Sequence, residues 1–369
     1  MQRTADLDLS PRILLGPGPS AVSPRVLRVM TTPPIGYLDP EWLAFMDEEQ
    51  ALLREVWQTE NPLTLALSGT GSSGMEAAIA NFLEPGDRFI VGVNGFFGNR
   101  MCDMAARYGA TVTKIEAPWG EPIKKEQIAE ALKQGPAKMV ALVHAETSTG
   151  VLQDLTGIAD VVHGAGALLM LDCVTSLAGV PVKIDAMGVD VAYSATQKCL
   201  GAPTGLAPFT VSPKGVAALE KRKNPTPNWY LDLAIIAKYW DKNRAYHHTP
   251  STALHYALRE GLRMALEEGL EKRWARHRAN AEYLWAELAK MKISLHVAPE
   301  NRLPPLTTVK IPDGVDDPGV RKRLREEFAI EIAGGFGPLA GKVWRVGLMG
   351  FSSRRENIAA LIGALKEIL

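Results

Sequence analysis

The chain has 369 residues, 46% hydrophobic and 22% charged. That composition supplies a large folded core with a second, smaller unit beside it, and excludes a disordered or low-complexity polymer. Lys plus Arg equal Asp plus Glu at 41 each, so no bulk field draws the chain to nucleic acid or an anionic membrane, and the expected partners are small molecules and another protein subunit.

The first residues, MQRTADLDLSPRILLGPGPS, carry acids and prolines where a signal peptide needs an apolar run. No apolar stretch approaches the ~20 residues of a membrane span. The three cysteines, Cys102, Cys173 and Cys199, are odd in number and lack CxxC spacing. This predicts neither a disulfide framework nor a metal site and fits a reducing compartment. The C-terminal KEIL is not a peroxisomal address. The expectation is a soluble, cytoplasmic protein.

From Leu63 the chain repeats one theme, an apolar run, a turn and an amphipathic helix. LTLALS (Leu63–Ser68) precedes a glycine loop and the helix GMEAAIANFL. RFIVGV (Arg88–Val93) leads into NRMCDMAARYG, and KMVALVHAE (Lys138–Glu146) follows the polar helix KKEQIAEALKQ. ALLMLD (Ala167–Asp172) and VDVAYS (Val189–Ser194) come next. Continuous apolar strands alternating with helices predict an α/β fold with a mainly parallel sheet covered on both faces. After Pro208 the pattern changes to the aromatic-rich NWYLDLAIIAKYW and a long helical tract. The short strands TTVKIP, IEIAGG and VWRVGLMG follow, with helices DPGVRKRLREEF and RENIAALIGALKEIL, as a smaller α/β unit. The predicted division is an arm over 1–22, a large domain over 23–268 and a small domain over 269–369.

Gly69-Thr70-Gly71-Ser72-Ser73-Gly74 is a literal G-x-G-x-x-G between strand and helix. A dinucleotide site also needs an acid at the end of the next strand; RFIVGV ends in Asn94, which argues against an NAD oxidoreductase. The glycines and the helix N-terminus still suit a phosphate. Asp172 ends one strand and Lys198 follows the next, at the sheet edge where open α/β folds bind ligands. A lysine, an acid and a phosphate cradle on one edge match the needs of pyridoxal phosphate: an amine for its aldehyde, a carboxylate for its ring nitrogen, N–H donors for its phosphate.

With those residues in place, LLGPGPS, LDCVTS, YSATQKCLGAPTG, AYHHTPS and RVGLMG resemble class V aminotransferases of PLP fold type I, most closely the alanine–glyoxylate or serine–pyruvate aminotransferases. The resemblance implies a large domain with a mainly parallel sheet between helices and a smaller C-terminal α/β domain. It makes Lys198 the residue bonded to the cofactor and Asp172 the ring-nitrogen partner. Thr70, Gly71, Ser72 and Gln197 would hold the phosphate, Ser148 would bond near the reactive side of the ring, and Val174 would pack beneath it. Phe97 stands where relatives use Trp to stack on the ring, and Ser72 where they often carry His. Arg345 would clamp the substrate carboxylate, with Tyr37 on the pocket wall. Tyr246 and Thr249 would cross a two-fold axis to the other subunit's phosphate, giving a homodimer with shared sites.

The activity implied is ping-pong transfer of an amino group from alanine or serine to glyoxylate or pyruvate. The alternatives are a cysteine desulfurase-type lyase, which usually carries His where Gln197 stands and needs a cysteine on a mobile loop, and a phosphonate-using aminotransferase. His144, His247 and His248 read as packing or hydrogen-bonding residues, and Arg354, Arg355 and Glu356 as a solvated helix start.

Overall fold

The computed structural model describes residues 9–369; residues 1–8 of the predicted arm lie outside the described residues. Seven strands form the main sheet, in the order Leu63–Ser68, Leu206–Val211, Val191–Tyr193, Leu168–Asp172, Met139–Val143, Arg88–Val93, Thr111–Glu116. The strand Leu206–Val211 runs antiparallel to both neighbours, and the other neighbouring pairs are parallel.

Alternation along each strand sends successive side chains to opposite faces. Leu65, Leu67, Phe89, Val91, Ala141 and Met170 pack into one apolar cluster, whereas Ala66, Ile90, Val140, Leu142, Leu169 and Leu171 pack into another. With both faces buried, polar groups of these strands meet ligand only at the strand ends. The C-terminal ends of Leu168–Asp172 and Val191–Tyr193 lie in register, Asp172 opposite Tyr193.

Two strands differ from expectation. Pro208 does not end the sheet pattern; it lies within Leu206–Val211, opposite Ala66. A proline there donates nothing to the ladder, which is why the run LAPFTV reads poorly as an inner strand; its carbonyl still accepts from Ser194 N–H at 2.8 Å. The edge strand Thr111–Glu116 (TVTKIE) carries too little apolar character to stand out, and its residues are largely exposed or half-buried. KMVALVHAE also divides, since Ala145–Glu146 leaves the sheet to pair with Val151–Leu152.

The long helical tract is two helices, Thr252–Glu268 and Leu270–Lys290, broken at Gly269 with φ +84°. Beyond it, Leu306–Lys310, Val343–Gly347 and Ala333–Gly334 form a three-stranded antiparallel sheet. Helices Asp317–Glu327 and Arg355–Ile368 cover it through Leu324, Ile358, Leu361 and Leu365. Ile13–Leu14 pairs in parallel with Ile330–Glu331, and Gly347 N–H donates to Leu15 O at 2.7 Å. The segment before residue 20 is thereby fastened to the C-terminal elements and then runs to the main sheet. No helix among the described residues is long and apolar enough to cross a membrane.

Candidate functional site

At the strand ends lies a cavity of about 330 Å³. Its wall includes Thr70, Gly71, Ser72, Phe97, Asp172, Val174, Gln197 and Lys198, eight of the residues singled out in the sequence.

One end is the start of the helix Gly71–Phe82. Thr70 is its N-cap, yet the Thr70 side chain makes no capping bond. The N–H groups of Gly71 and Ser72, in the first turn, have no intrahelical acceptor. A Cβ at Gly71 would come within 3.0 Å of Ala195 and 3.1 Å of Val174, so glycine lets the helix start pack closely against them. Unfilled N–H donors and a positive helix end form an anion cradle, to which Gln197 on the same wall can add its amide NH2 as a donor.

Asp172 is buried at the side of the cavity. Oδ1 accepts from Val174 N–H at 2.9 Å and Oδ2 from the Tyr193 hydroxyl at 2.7 Å. Burial pushes its carboxyl up to about 6, opposed by those two donors and by the nearby charges of Lys198 and Arg100. Near neutral pH the group is therefore mostly ionised and held in one orientation, suited to a protonated ring nitrogen.

Lys198 is buried too, and its Nζ donates to Pro17 O. Burial pulls the amine down to about 8, with Arg345 lowering it further and Asp172 and Glu146 opposing. Its loop is gripped from several sides. Ser20 donates from N–H to Gln197 O at 2.8 Å and from its hydroxyl to Lys198 O at 2.7 Å. The Arg273 guanidinium donates to Cys199 O at 2.6 Å. The GPGPS stretch thus packs over the amine: Gly18 has φ +125°, and a Cβ there would collide with the lysine.

A phosphate cradle, an ionised carboxylate and an amine with a lowered pKa on one cavity fit pyridoxal phosphate. Thr70, Gly71, Ser72 and Gln197 would hold the phosphate, Asp172 the ring nitrogen and Lys198 the aldehyde carbon.

The structure also places groups that sequence reasoning missed. Arg100 lies one helical turn after Phe97, its guanidinium carbon 4.9 Å from the Phe97 ring centroid, and it donates to Ser72 Oγ at 3.0 Å. It ties the aromatic wall to the phosphate loop, and its i, i+3 spacing from Phe97 was the available signal. Tyr193 was signalled by adjacent strand ends. Glu146, buried and pushed up by that burial, accepts from Phe97 N–H at 3.2 Å.

Other predicted residues fall elsewhere. Ser148 does not line the cavity; its hydroxyl donates to Glu146 at 2.6 Å and accepts from Phe96 N–H at 2.9 Å, and Thr147 takes the wall position. Tyr37 lies off the cavity of its own chain, edge-on to Trp42 at 6.5 Å, with its carbonyl accepting from Tyr239. Tyr246 and Thr249 are exposed and joined hydroxyl to hydroxyl at 2.6 Å, away from this cavity. Arg345 is buried beside it, donating to Gly334 O at 2.8 Å and stacked 4.0 Å over Phe336, a wall residue. His248 bonds Ser68 Oγ at 2.6 Å and His247 stacks on Trp229 at 4.6 Å, both structural contacts.

Residues 38–361 match the family model described as aminotransferase class-V. The (S)-ureidoglycine–glyoxylate transaminase of Bacillus subtilis is 39% identical over 97% of this chain and 90% of its own. The alanine–glyoxylate aminotransferase of Callithrix jacchus is 41% identical over 98% of this chain and 89% of its own. The crystal structure of alanine–glyoxylate aminotransferase from Nostoc sp. superposes with a TM-score of 0.98 at 54% identity, covering 99% of this chain and 97% of that one.

The lowered pKa of Lys198 has a direct consequence. Below about pH 8 the amine of the cofactor-free chain is protonated and has no lone pair; above it the free base prevails. The rate at which the apo-chain takes up pyridoxal phosphate, followed by visible absorbance, is expected to reach half its rise near pH 8 and then level. A rise continuing toward the ordinary lysine value of about 10.4 contradicts the buried environment.

Proposed function

The chain belongs to the class V aminotransferases, which use pyridoxal phosphate, and on that premise we propose that it moves the amino group of a small amino acid, alanine or serine, to a small 2-oxo acid, glyoxylate or pyruvate, in ping-pong order. The observation that carries the reading is the pairing of Lys198 and Asp172 on one cavity with Arg345 at its side. Both relatives described above are named for glyoxylate. A cavity of about 330 Å³ that also holds the cofactor leaves space for a small substrate.

When bound, the cofactor supplies an aldehyde carbon that takes up and returns an amino group, and a ring that spreads the charge left at the substrate Cα. Asp172 keeps a proton on the ring nitrogen. Lys198, whose amine burial pulls down to about 8 in the cofactor-free chain, would act as the base that moves a proton at the substrate Cα. Arg345 binds the substrate carboxylate; burial lowers its pKa to about 10, which still leaves it charged at neutral pH. A desulfurase-type lyase is disfavoured because Cys102, Cys173 and Cys199 are all buried. Burial pushes the thiols of Cys102 and Cys199 up to about 11 and about 12.

Steady-state kinetics test the reading. With alanine and glyoxylate varied together, double-reciprocal plots are expected to be parallel. Intersecting lines contradict the ping-pong order, and no turnover with any pairing of the four substrates contradicts the function.

We also propose a homodimer in which Tyr246 and Thr249 complete the other subunit's phosphate cradle. Exposed Trp229, Tyr230 and Tyr246 support it as an apolar face, and a two-fold axis makes the exchange reciprocal. Mixing a Lys198→Ala chain with a Tyr246→Phe/Thr249→Ala chain is expected to give activity above either parent, because each mixed dimer then holds one intact site. No gain on mixing places both residues within their own chain's site or outside any site.

A further inference from the structure

Two large apolar side chains that stay substantially exposed, Phe96 at 39% and Phe336 at 41%, are both wall residues of the cavity. They come from opposite parts of the fold. Phe96 begins the helix Phe96–Arg107 beside the main sheet, and Phe336 sits in the turn between the strands Ala333–Gly334 and Val343–Gly347. Their ring centroids are 5.3 Å apart with planes tilted by 40°. Phe96 is fixed on its other sides, edge-on to Phe97 at 5.6 Å and beneath the Arg100 guanidinium at 5.1 Å.

Phe336 has a second contact, the Arg345 guanidinium stacked 4.0 Å from its centroid. The ring covers one face of that cation and shields it from water, which strengthens its hold on an anion. Nε is used by Gly334 O at 2.8 Å, and Nη1 has a long contact with Thr147 O at 3.4 Å. Nη2 has no hydrogen bond among the described residues, so the outer edge of the fork is available for a carboxylate. The backbone aims the ring: Gly337 holds φ +47°, and a Cβ at Gly335 would collide with Leu339 O.

We propose that Phe336 closes the substrate mouth of the cavity against Phe96 and sets the size of side chain that accompanies a carboxylate held by Arg345. This rests on the aminotransferase reading and on Arg345 as the carboxylate clamp. With the carboxylate on the fork's edge, the substituent at its Cα meets the ring pair. A hydrogen, methyl or hydroxymethyl group passes beneath the closed pair, whereas an aromatic side chain separates Phe336 from Phe96 and uncovers Arg345. Selection for small substrates then resides in one loop residue of the C-terminal elements.

The test measures binding of acetate, propionate and phenylacetate to the holoenzyme by calorimetry, with the cofactor's visible absorbance confirming that each variant is loaded. In the unaltered protein acetate is expected to bind about tenfold or more tighter than phenylacetate. Phe336→Ala is expected to weaken acetate and bring phenylacetate within about twofold of it, with Phe336→Leu intermediate. The ratio of kcat/KM for alanine over phenylalanine is expected to fall by at least about tenfold in Phe336→Ala. Arg345→Lys is expected to weaken all three carboxylates alike. If Arg345→Lys weakens them but Phe336→Ala keeps the original size ranking, the mouth assignment falls and the clamp stands. If Arg345→Lys changes none of them, the clamp reading itself falls, and this inference with it.

Discussion

A cation and an anion, Lys198 and Asp172, are buried together at the C-terminal edge of a sheet that is apolar on both faces. Taking either charge out of water is costly, and the surrounding structure offsets that cost in two different ways. Asp172 keeps its charge because Val174 N–H and the Tyr193 hydroxyl solvate it. Lys198 receives one backbone carbonyl, Pro17 O, and burial pulls its amine down to about 8, so the free base prevails from a lower pH than for an exposed lysine. The same burial that would weaken an ordinary protein leaves an oriented carboxylate beside an amine of lowered pKa.

Holding that pair requires parts from the whole chain. Residues 17–20 cover the lysine and pin its loop, and Arg273 in the helix Leu270–Lys290 grips the loop from behind. The helix Phe96–Arg107 comes so close to its strand that a Cβ at Gly98 would lie 2.7 Å from Gly92 O. That approach places Phe97 and Arg100 on the cavity, and Arg100 carries the link onward to Ser72 in the phosphate loop. Phe97, the helix start at Gly71 and the Lys198–Asp172 pair therefore line one cavity, with Arg345 and Phe336 of the C-terminal elements bordering it.

Much of this was legible because the sheet interior is so apolar. In LTLALS, RFIVGV and ALLMLD every residue through the middle is hydrophobic or small, so an Asp at a strand's end and a Lys just after the next stand out as edge chemistry. The glycine loop was legible for the same reason, since a helix begins directly after it. Side-chain direction was not. Ser148 sits in the stretch that reaches the cavity, but Glu146, two residues earlier, captures its hydroxyl. Helical spacing hints at Arg100 and adjacent strand ends at Tyr193, but the contacts with Ser72 and Asp172 that give them their place depend on how the elements are assembled. The strand through Pro208 was hidden by a residue that cannot complete a ladder. Tyr37 lies close in sequence to the motif-rich N-terminal segment, but its ring is drawn toward Trp42.

On the proposed function, the cofactor's aldehyde carbon meets Lys198 and no other amine. Borohydride reduction of the holoenzyme followed by peptide mapping tests it most directly. A single pyridoxyl label is expected, in the peptide containing Lys198. A label on Lys183, Lys214 or any other lysine would contradict it, because Asp172 and the helix start at Gly71 share their cavity with that one amine.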